Sequence, residues 1–349
     1  MVKKMEQNEK MNEEISELKC LICLSKNIYK IFSNYPGYIE GTSFDIIKCN
    51  DCKTQFILGP TTPDELYNAI YKLDCVPGYD RYKRYAKSII FEKKPLKFLS
   101  EQEFAYYSVY SYLRSRKVKN ILEIGSGLGY LTYALNKEGY QTLGIDISKE
   151  SIKNSINYFG PFYEAINLEN LKKKLEQKYD LIIMTELIEH VDSPLEFIND
   201  CLPLLSENGV ILLTTPHYNG DNEVWKTDLP PVHRFWFSEK SFLTISKKIG
   251  LEPTFIYPNK ECRYNYNLLT ANMFKKKLSN TLPTSYITSD LKDCVRKNSY
   301  HEGIFKKQIK KFVASNSVRY FSNIFYFRFI QDQPESFAII LSSRNYRNK

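Results

Sequence analysis

Through the middle of the chain, short apolar runs alternate with segments whose apolar residues recur at helical spacing. Asn120-Ile-Leu-Glu-Ile124 is one such run; it enters a glycine-rich turn, Gly125-Ser-Gly-Leu-Gly129, and a helical pattern follows from Tyr130 to Glu138. A second run, Gln141 to Ile145, ends on Asp146, and others stand at Tyr179 to Met184, Gly209 to Thr214, Gly250 to Ile256 and Ser336 to Ser342. Runs this apolar belong to strands buried on both faces, so the alternation predicts an α/β fold with a mainly parallel sheet. Helices are predicted over about Ser100 to Ser115 and from Ser238. Before them, residues 61–118 read as a helical connector that includes the tyrosine-dense stretch Gly78 to Tyr85.

An apolar strand, a glycine turn and a helix make a loop in which the backbone can approach a ligand at a helix N-terminus. The spacing narrows the ligand. A dinucleotide fingerprint needs glycine where Tyr130 stands, and a phosphate-binding loop needs Gly-Lys-Ser/Thr, which is absent. The pattern present, Glu123-x-Gly125-x-Gly127-x-Gly129, resembles motif I of the class I S-adenosylmethionine-dependent methyltransferases. The resemblance implies a Rossmann-like seven-stranded sheet over residues 119–349. In that family the acidic residue and the glycines surround the amino acid part of the cofactor. Asp146, 21 residues after Gly125, matches the family's ribose ligand, and Asn167 stands where an aspartate usually lies near the adenine. The seventh strand, Ser336 to Ser342, arrives about 80 residues late, which leaves an insertion over about 260–330 with helices of its own.

Methyl transfer needs an aligned nucleophile and a place for its proton. Candidates follow the fourth and fifth strands. Glu186-x-x-Glu189-His190 resembles the metal-binding segment of ubiquinone-pathway O-methyltransferases, so a second divalent ion at Glu186, Glu189 and His190 is one reading. A structural Glu189 with His190 facing the active site is the other. The run Asp228-Leu-Pro-Pro-Val-His-Arg-Phe-Trp-Phe237 resembles the lid of bacterial sugar-pathway and polysaccharide-pathway methyltransferases, which makes His233 the leading candidate base, ahead of His190 and His217. Each histidine is also readable as a hydrogen-bonded structural residue. Phe235, Trp236 and Phe237 read first as packing.

Two Cys-x-x-Cys pairs, Cys20/Cys23 and Cys49/Cys52, lie 25 residues apart. Four thiolates suit a closed tetrahedral zinc site, so residues 18–60 read as a zinc ribbon, although Leu24 and Lys53 occupy the places where a glycine often follows. Cys75, Cys201, Cys262 and Cys294 read as core or surface thiols. Residues 1–17 are polar, without a signal-peptide core, and read as a flexible leader to a cytoplasmic protein.

The chain has 349 residues and a net charge of +9. From Pro258 onward there are 17 basic and 6 acidic residues, against 32 and 34 before it. A near-neutral catalytic part lacks the footprint of a nucleic-acid enzyme. The basic excess marks the insertion, where Phe305, Ile309 and Phe312 oppose Lys306, Lys307, Lys310 and Lys311; such a helix suits peripheral contact with an anionic membrane, or a solvated face. Ribbon, connector and core together resemble bacterial deoxysugar, capsule and O-antigen methyltransferases. The acceptor this implies is a sugar hydroxyl or carbon in a nucleotide-linked or glycan intermediate. The alternatives are a metal-dependent O-methyltransferase of a phenolic or lipid-like acceptor, and a non-catalytic binding module with a vestigial cofactor site.

Overall fold

The structure is a computed structural model that describes residues 18–59, 61–73, 80–174, 177–218, 228–257, 282–295 and 336–343. Seven strands form the central sheet: β4 (Asn120–Ile124), β5 (Gln141–Asp146), β6 (Tyr163–Ala165), β7 (Tyr179–Thr185), β8 (Leu205–Pro216), β10 (Glu252–Ile256) and β11 (Ser336–Ser342). Their spatial order is β10-β11-β8-β7-β4-β5-β6, and β11 runs antiparallel to both of its neighbours. The strand order reverses beside β4, so the ends of β4 and β7 open a crevice where ligands of such sheets bind.

Alternation along each strand sends side chains to two separate cores. Ile121, Leu181, Ile183, Val210 and Leu212 face one side. They are covered by α2 (Asp80–Ser88), α3 (Pro95–Ser100), α4 (Phe104–Arg114), α5 (Tyr130–Lys137) and α6 (Lys149–Phe159). Leu122, Ile182, Met184, Ile211 and Leu213 face the other, under α7 (Leu168–Lys174), α8 (Pro194–Cys201) and α9 (Glu239–Ile249). The helix expected over Ser100 to Ser115 is Phe104–Arg114, separate from the short α3 that ends at Ser100. Glu103 leaves helical geometry at φ −142° and ψ 153°, and its carboxylate meets Arg81 at 2.7 Å.

The N-terminal part forms an antiparallel sheet of β1 (Ile28–Pro36), β2 (Ser43–Cys49) and β3 (Gln55–Ile57), followed by α1 (Asp64–Lys72). A fourth strand, β9 (Phe235–Trp236), comes from the far side of the chain and pairs with β3 through Gln55 with Trp236 and Phe56 with Phe235. Phe235 and Phe237 are buried with rings stacked 5.6 Å apart, as packing residues. Cys20, Ile22, Cys49, Cys52 and Phe56 share one core with the central sheet, so the ribbon is welded to the rest.

Of the insertion, residues 282–295 are described. They form no helix; Ile287 bridges Ile39 of the N-terminal part and also Cys294. The lysine-rich helix expected around Phe305 to Tyr320, residues 1–17, Cys75 and Cys262 lie outside the described residues. Cys294 is disulfide-bonded, which corrects its reading as a thiol. No described helix is long and apolar enough to cross a membrane.

Candidate active site

The turn after β4 is built for close approach. Gly125, Gly127 and Gly129 all have positive φ, at 75°, 50° and 80°. A Cβ on Gly129 would stand 2.6 Å from Ser155 Oγ, so only glycine fits where the loop enters α5. Asp146, at the end of β5, ties the loop down: its Oδ2 accepts from Gly127 N at 2.9 Å and its Oδ1 from Ser148 N at 2.8 Å. Each oxygen keeps a second lone pair. Glu123 is 3% exposed, and its Oε2 accepts from Thr132 Oγ1. Burial pushes its carboxyl up to about 8.

A cavity of about 300 Å³ lies against this turn and the segment that carries His233. Its lining includes Glu123, Gly125, Ser126 and Gly127, together with Glu189, His190, Asp228 and His233. Ser126 Oγ is buried there without a hydrogen-bond partner, an orphan that a bound polar ligand would satisfy. Tyr38, Tyr82, Tyr106 and Tyr130 also line it, with Arg81 the one lysine or arginine among the described lining residues. Burial holds the Tyr82, Tyr106 and Tyr130 phenols well above their ordinary range, so they remain neutral hydrogen-bonding groups.

The two lid-side histidines form an edge-to-face pair with ring centroids 4.6 Å apart. His190 Nδ1 lies 2.7 Å from Val232 O, which can only accept, so Nδ1 carries the proton and Nε2 is the free base. That Nε2 is 3.8 Å from Glu189 Oε1. His233 Nε2 lies 4.0 Å from Asp228 Oδ1, and its Nδ1 is buried without a partner. Burial lowers both histidines, and the neighbouring His190 lowers His233 further, so both are neutral at pH 7. Glu189 is 1% exposed, and neither of its oxygens has a hydrogen-bond partner among the described residues. Burial first, then the nearby Glu186, raises its carboxyl well above the usual range. Glu186 is raised by burial as well, and it adopts a left-handed backbone at φ 49°, a conformation that costs a non-glycine residue about 1 to 2 kcal/mol.

Residues 98–254 match the family described as "Methyltransferase domain". The segment is a class I S-adenosylmethionine-dependent methyltransferase domain. Among curated proteins the chain is 32% identical over 108 residues to the ubiquinone biosynthesis O-methyltransferase of Coxiella burnetii, covering 30% of this chain and 46% of that one. It is 29% identical over 148 residues to the mitochondrial enzyme of the same name from Bos taurus, covering 40% and 38%. The match therefore spans less than half the length of either relative. A solved methyltransferase from Archaeoglobus fulgidus aligns over 68% of this chain and 94% of its own, at 16% identity and a TM-score of 0.40.

Within the methyltransferase domain, the expected cofactor residues separate by position. Glu123, Gly125 and Gly127 line the cavity, Asp146 accepts from the loop at Gly127 N, and Gly129 leads the loop into α5. Asn167 is exposed and does not line the cavity: its Oδ1 accepts from Asn170 N at 2.9 Å and caps the start of α7. His217 packs on Phe337, with centroids 4.5 Å apart, away from the cavity. Sequence reasoning missed Tyr38, Arg81, Tyr82 and Asp228. The tyrosine-dense stretch was a signal for α2, but nothing in its spacing says that Arg81 turns toward the glycine loop.

The four cysteines also converge. Their Sγ atoms lie within 4.8 Å of one another, with Cys20 to Cys52 and Cys23 to Cys49 each at 3.4 Å. Tetrahedral zinc with Zn–S near 2.3 Å needs S···S of about 3.8 Å, so the donors fit the ion. Leu24 and Lys53 take left-handed φ of 66° and 63°, closing each turn with bonds from Leu24 N to Cys20 O and from Lys53 N to Cys49 O. The glycine expected at those places is a conformational requirement that two ordinary residues meet at a cost.

Proposed function

We propose that the chain transfers a methyl group from S-adenosylmethionine to a hydroxyl oxygen or carbon of a sugar, in a nucleotide-linked or glycan intermediate. The observation that carries this reading is one cavity lined by the glycine loop, by four tyrosines and by two half-buried, neutral histidines. Tyrosine faces pack on the C–H faces of a sugar, and phenols bond its hydroxyls. Glu123, Ser126 and the glycine turn would hold the amino acid part of the cofactor, with Asp146 at the ribose. When bound, the cofactor supplies an electrophilic methyl on a sulfonium. The chain's own groups align the acceptor and take its proton: His233 is the leading base, with Asp228 placed to stabilise the imidazolium that forms. The near-neutral site supports a small acceptor over nucleic acid. We assign zinc to Cys20, Cys23, Cys49 and Cys52 as a structural ion, because four ligands leave no open position.

Incubation with methyl-labelled cofactor and a panel of nucleotide sugars and glycan precursors, read by mass spectrometry, tests the acceptor. Label on a sugar is expected; transfer confined to phenolic or lipid-like acceptors refutes it. Cofactor binding without turnover on any acceptor would favour a vestigial site. A second reading has one specific support: Glu189, His190 and His233 offer three donor atoms within 4.8 Å. In that reading a divalent ion serves an O-methyltransferase, with His233 in place of the Glu186 that the sequence pattern suggested. Activity lost to a chelator and restored by magnesium, at constant zinc content, would favour it.

A further inference from the structure

The lid segment that carries His233 is held from two sides. The methyltransferase domain holds one edge: Arg234 N and Phe235 N donate to Glu189 O at 2.9 and 3.2 Å, and His190 Nδ1 donates to Val232 O. The four-cysteine part holds the other. Tyr38 N donates to Pro230 O at 2.6 Å, Thr62 Oγ1 to Pro231 O at 2.6 Å, and Ile57 N to Arg234 O at 3.0 Å, while Arg234 Nη2 donates to Gly59 O at 3.1 Å. Directly after these bonds, Phe235 and Trp236 join β3 as β9.

The second cysteine turn itself reaches the helix that follows the lid. Thr54 is fully buried, and its hydroxyl donates to Ser241 Oγ at 2.8 Å, leaving its oxygen 3.1 Å from Cys52 Sγ. Ser241 Oγ in turn lies within 3.3 Å of Cys52 O, and Ser238 Oγ within 3.4 Å of the same carbonyl. Ser238 and Ser241 form the capping box of α9. A metal-ligand turn is thus bonded to the cap of the helix that ends the lid, and strand β3, which leaves that turn, is the template for the lid.

We propose that the four-cysteine module is the positioning element of the acceptor side of the active site, and that Thr54 is the positioning residue that transmits its geometry to His233. This rests on the reading of His233 as the acceptor-side base. A lid bonded along one edge opens locally at little cost, whereas one paired on both edges holds its side chains in place. A displacement of about 1 Å at a reacting group can cost about 100-fold in rate, so the second edge matters to turnover. The cofactor cradle lies on β4, β5 and α5, outside these bonds, and is expected to be indifferent to the link.

The test uses the full chain as wild type, Thr54→Val, Thr54→Ser and Ser241→Ala, with hydrogen exchange read by mass spectrometry. In Thr54→Val, exchange over residues 228–238 is expected to speed up by about 10-fold, the equivalent of one lost buried hydrogen bond, while residues 120–130 are unchanged. Metal content and affinity for S-adenosylhomocysteine stay at the wild-type level. Thr54→Ser, which keeps the hydroxyl, restores wild-type exchange. Ser241→Ala cuts the same link from the helix side and decides the matter if Thr54→Val does not fold. With an acceptor in hand, kcat falls in Thr54→Val while the KM for cofactor holds. Unchanged exchange at 228–238 in the folded variants overturns the proposal, as does a uniform rise along the chain with cofactor binding lost. The exchange and binding arms need no acceptor, so failure to find one bears on the proposed function and leaves this result standing.

Discussion

With Glu123 as the proposed partner of the cofactor's ammonium, cofactor binding becomes a titration. The Glu123 carboxyl is buried beside the glycine loop and pushed up to about 8, so at pH 6 about 1% of it is ionised. The cofactor brings an α-ammonium, which itself titrates at about 8 and needs a carboxylate partner in that closed space. If binding requires ionised Glu123 and protonated amine, affinity peaks near pH 8. Below the peak it falls about 3-fold over the first pH unit and about 8-fold over the next, so the product of the two fractions makes it about 25-fold weaker at pH 6 than at pH 8. That is about 1.9 kcal/mol. The sign is unambiguous: a raised carboxyl must lose its proton to bind a cation, so binding releases a proton on the acid side. Calorimetry with S-adenosylhomocysteine from pH 6 to 9, in two buffers of different ionisation enthalpy, measures both affinity and proton release. Glu123→Gln should bind weakly and lose the acid limb. A flat profile from pH 6 to 8 in the wild type, or an acid limb that survives in Glu123→Gln, would refute the reasoning.

Asp146→Ala removes the charged acceptor of two loop amides, each bond contributing about 1.5 to 3 kcal/mol, so cofactor affinity should fall by at least about 10-fold, read by the same calorimetry. His233→Ala should lower kcat by about 100-fold or more while S-adenosylhomocysteine binds as before. Because burial lowers both histidines, the base is lost only as pH falls through a value below about 6.5, and the wild-type rate at saturating cofactor should be level at pH 7 and above; a saturated rate still climbing there would exclude them. Leu24→Gly and Lys53→Gly should each stabilise the protein by up to about 1 kcal/mol in thermal unfolding, since glycine takes their left-handed backbone without strain. Glu189→Gln should keep activity within about 5-fold, because burial raises that carboxyl and favours its neutral form, which the amide imitates; a far larger loss matched by chelator sensitivity would shift the reading to the divalent ion.

The parts of this protein that the amino-acid sequence determined by itself are those set by local chemistry. Apolar runs place the strands, because a strand buried on both faces has to be apolar along its length; Ser336–Ser342 coincides with the expected seventh strand despite the long gap before it. Glycine spacing places the loop, because positive φ and close approach admit little else, and the cysteine pairs mark out the four-thiol cluster before any coordinates do. Tertiary structure alone decided which of these parts meet. Arg81 and Tyr38 reach the cavity through packing between distant elements, and no period in the sequence encodes that contact. Asn167, expected near the adenine, also caps a helix, which its position alone did not show, because a side-chain carbonyl at a helix start accepts from an unpaired amide. The lid's β9 is two residues long, too short to show any alternation, and it exists because β3 presents an open edge to it. Local rules wrote the elements, and long-range pairing joined the cysteine module to the segment that carries His233.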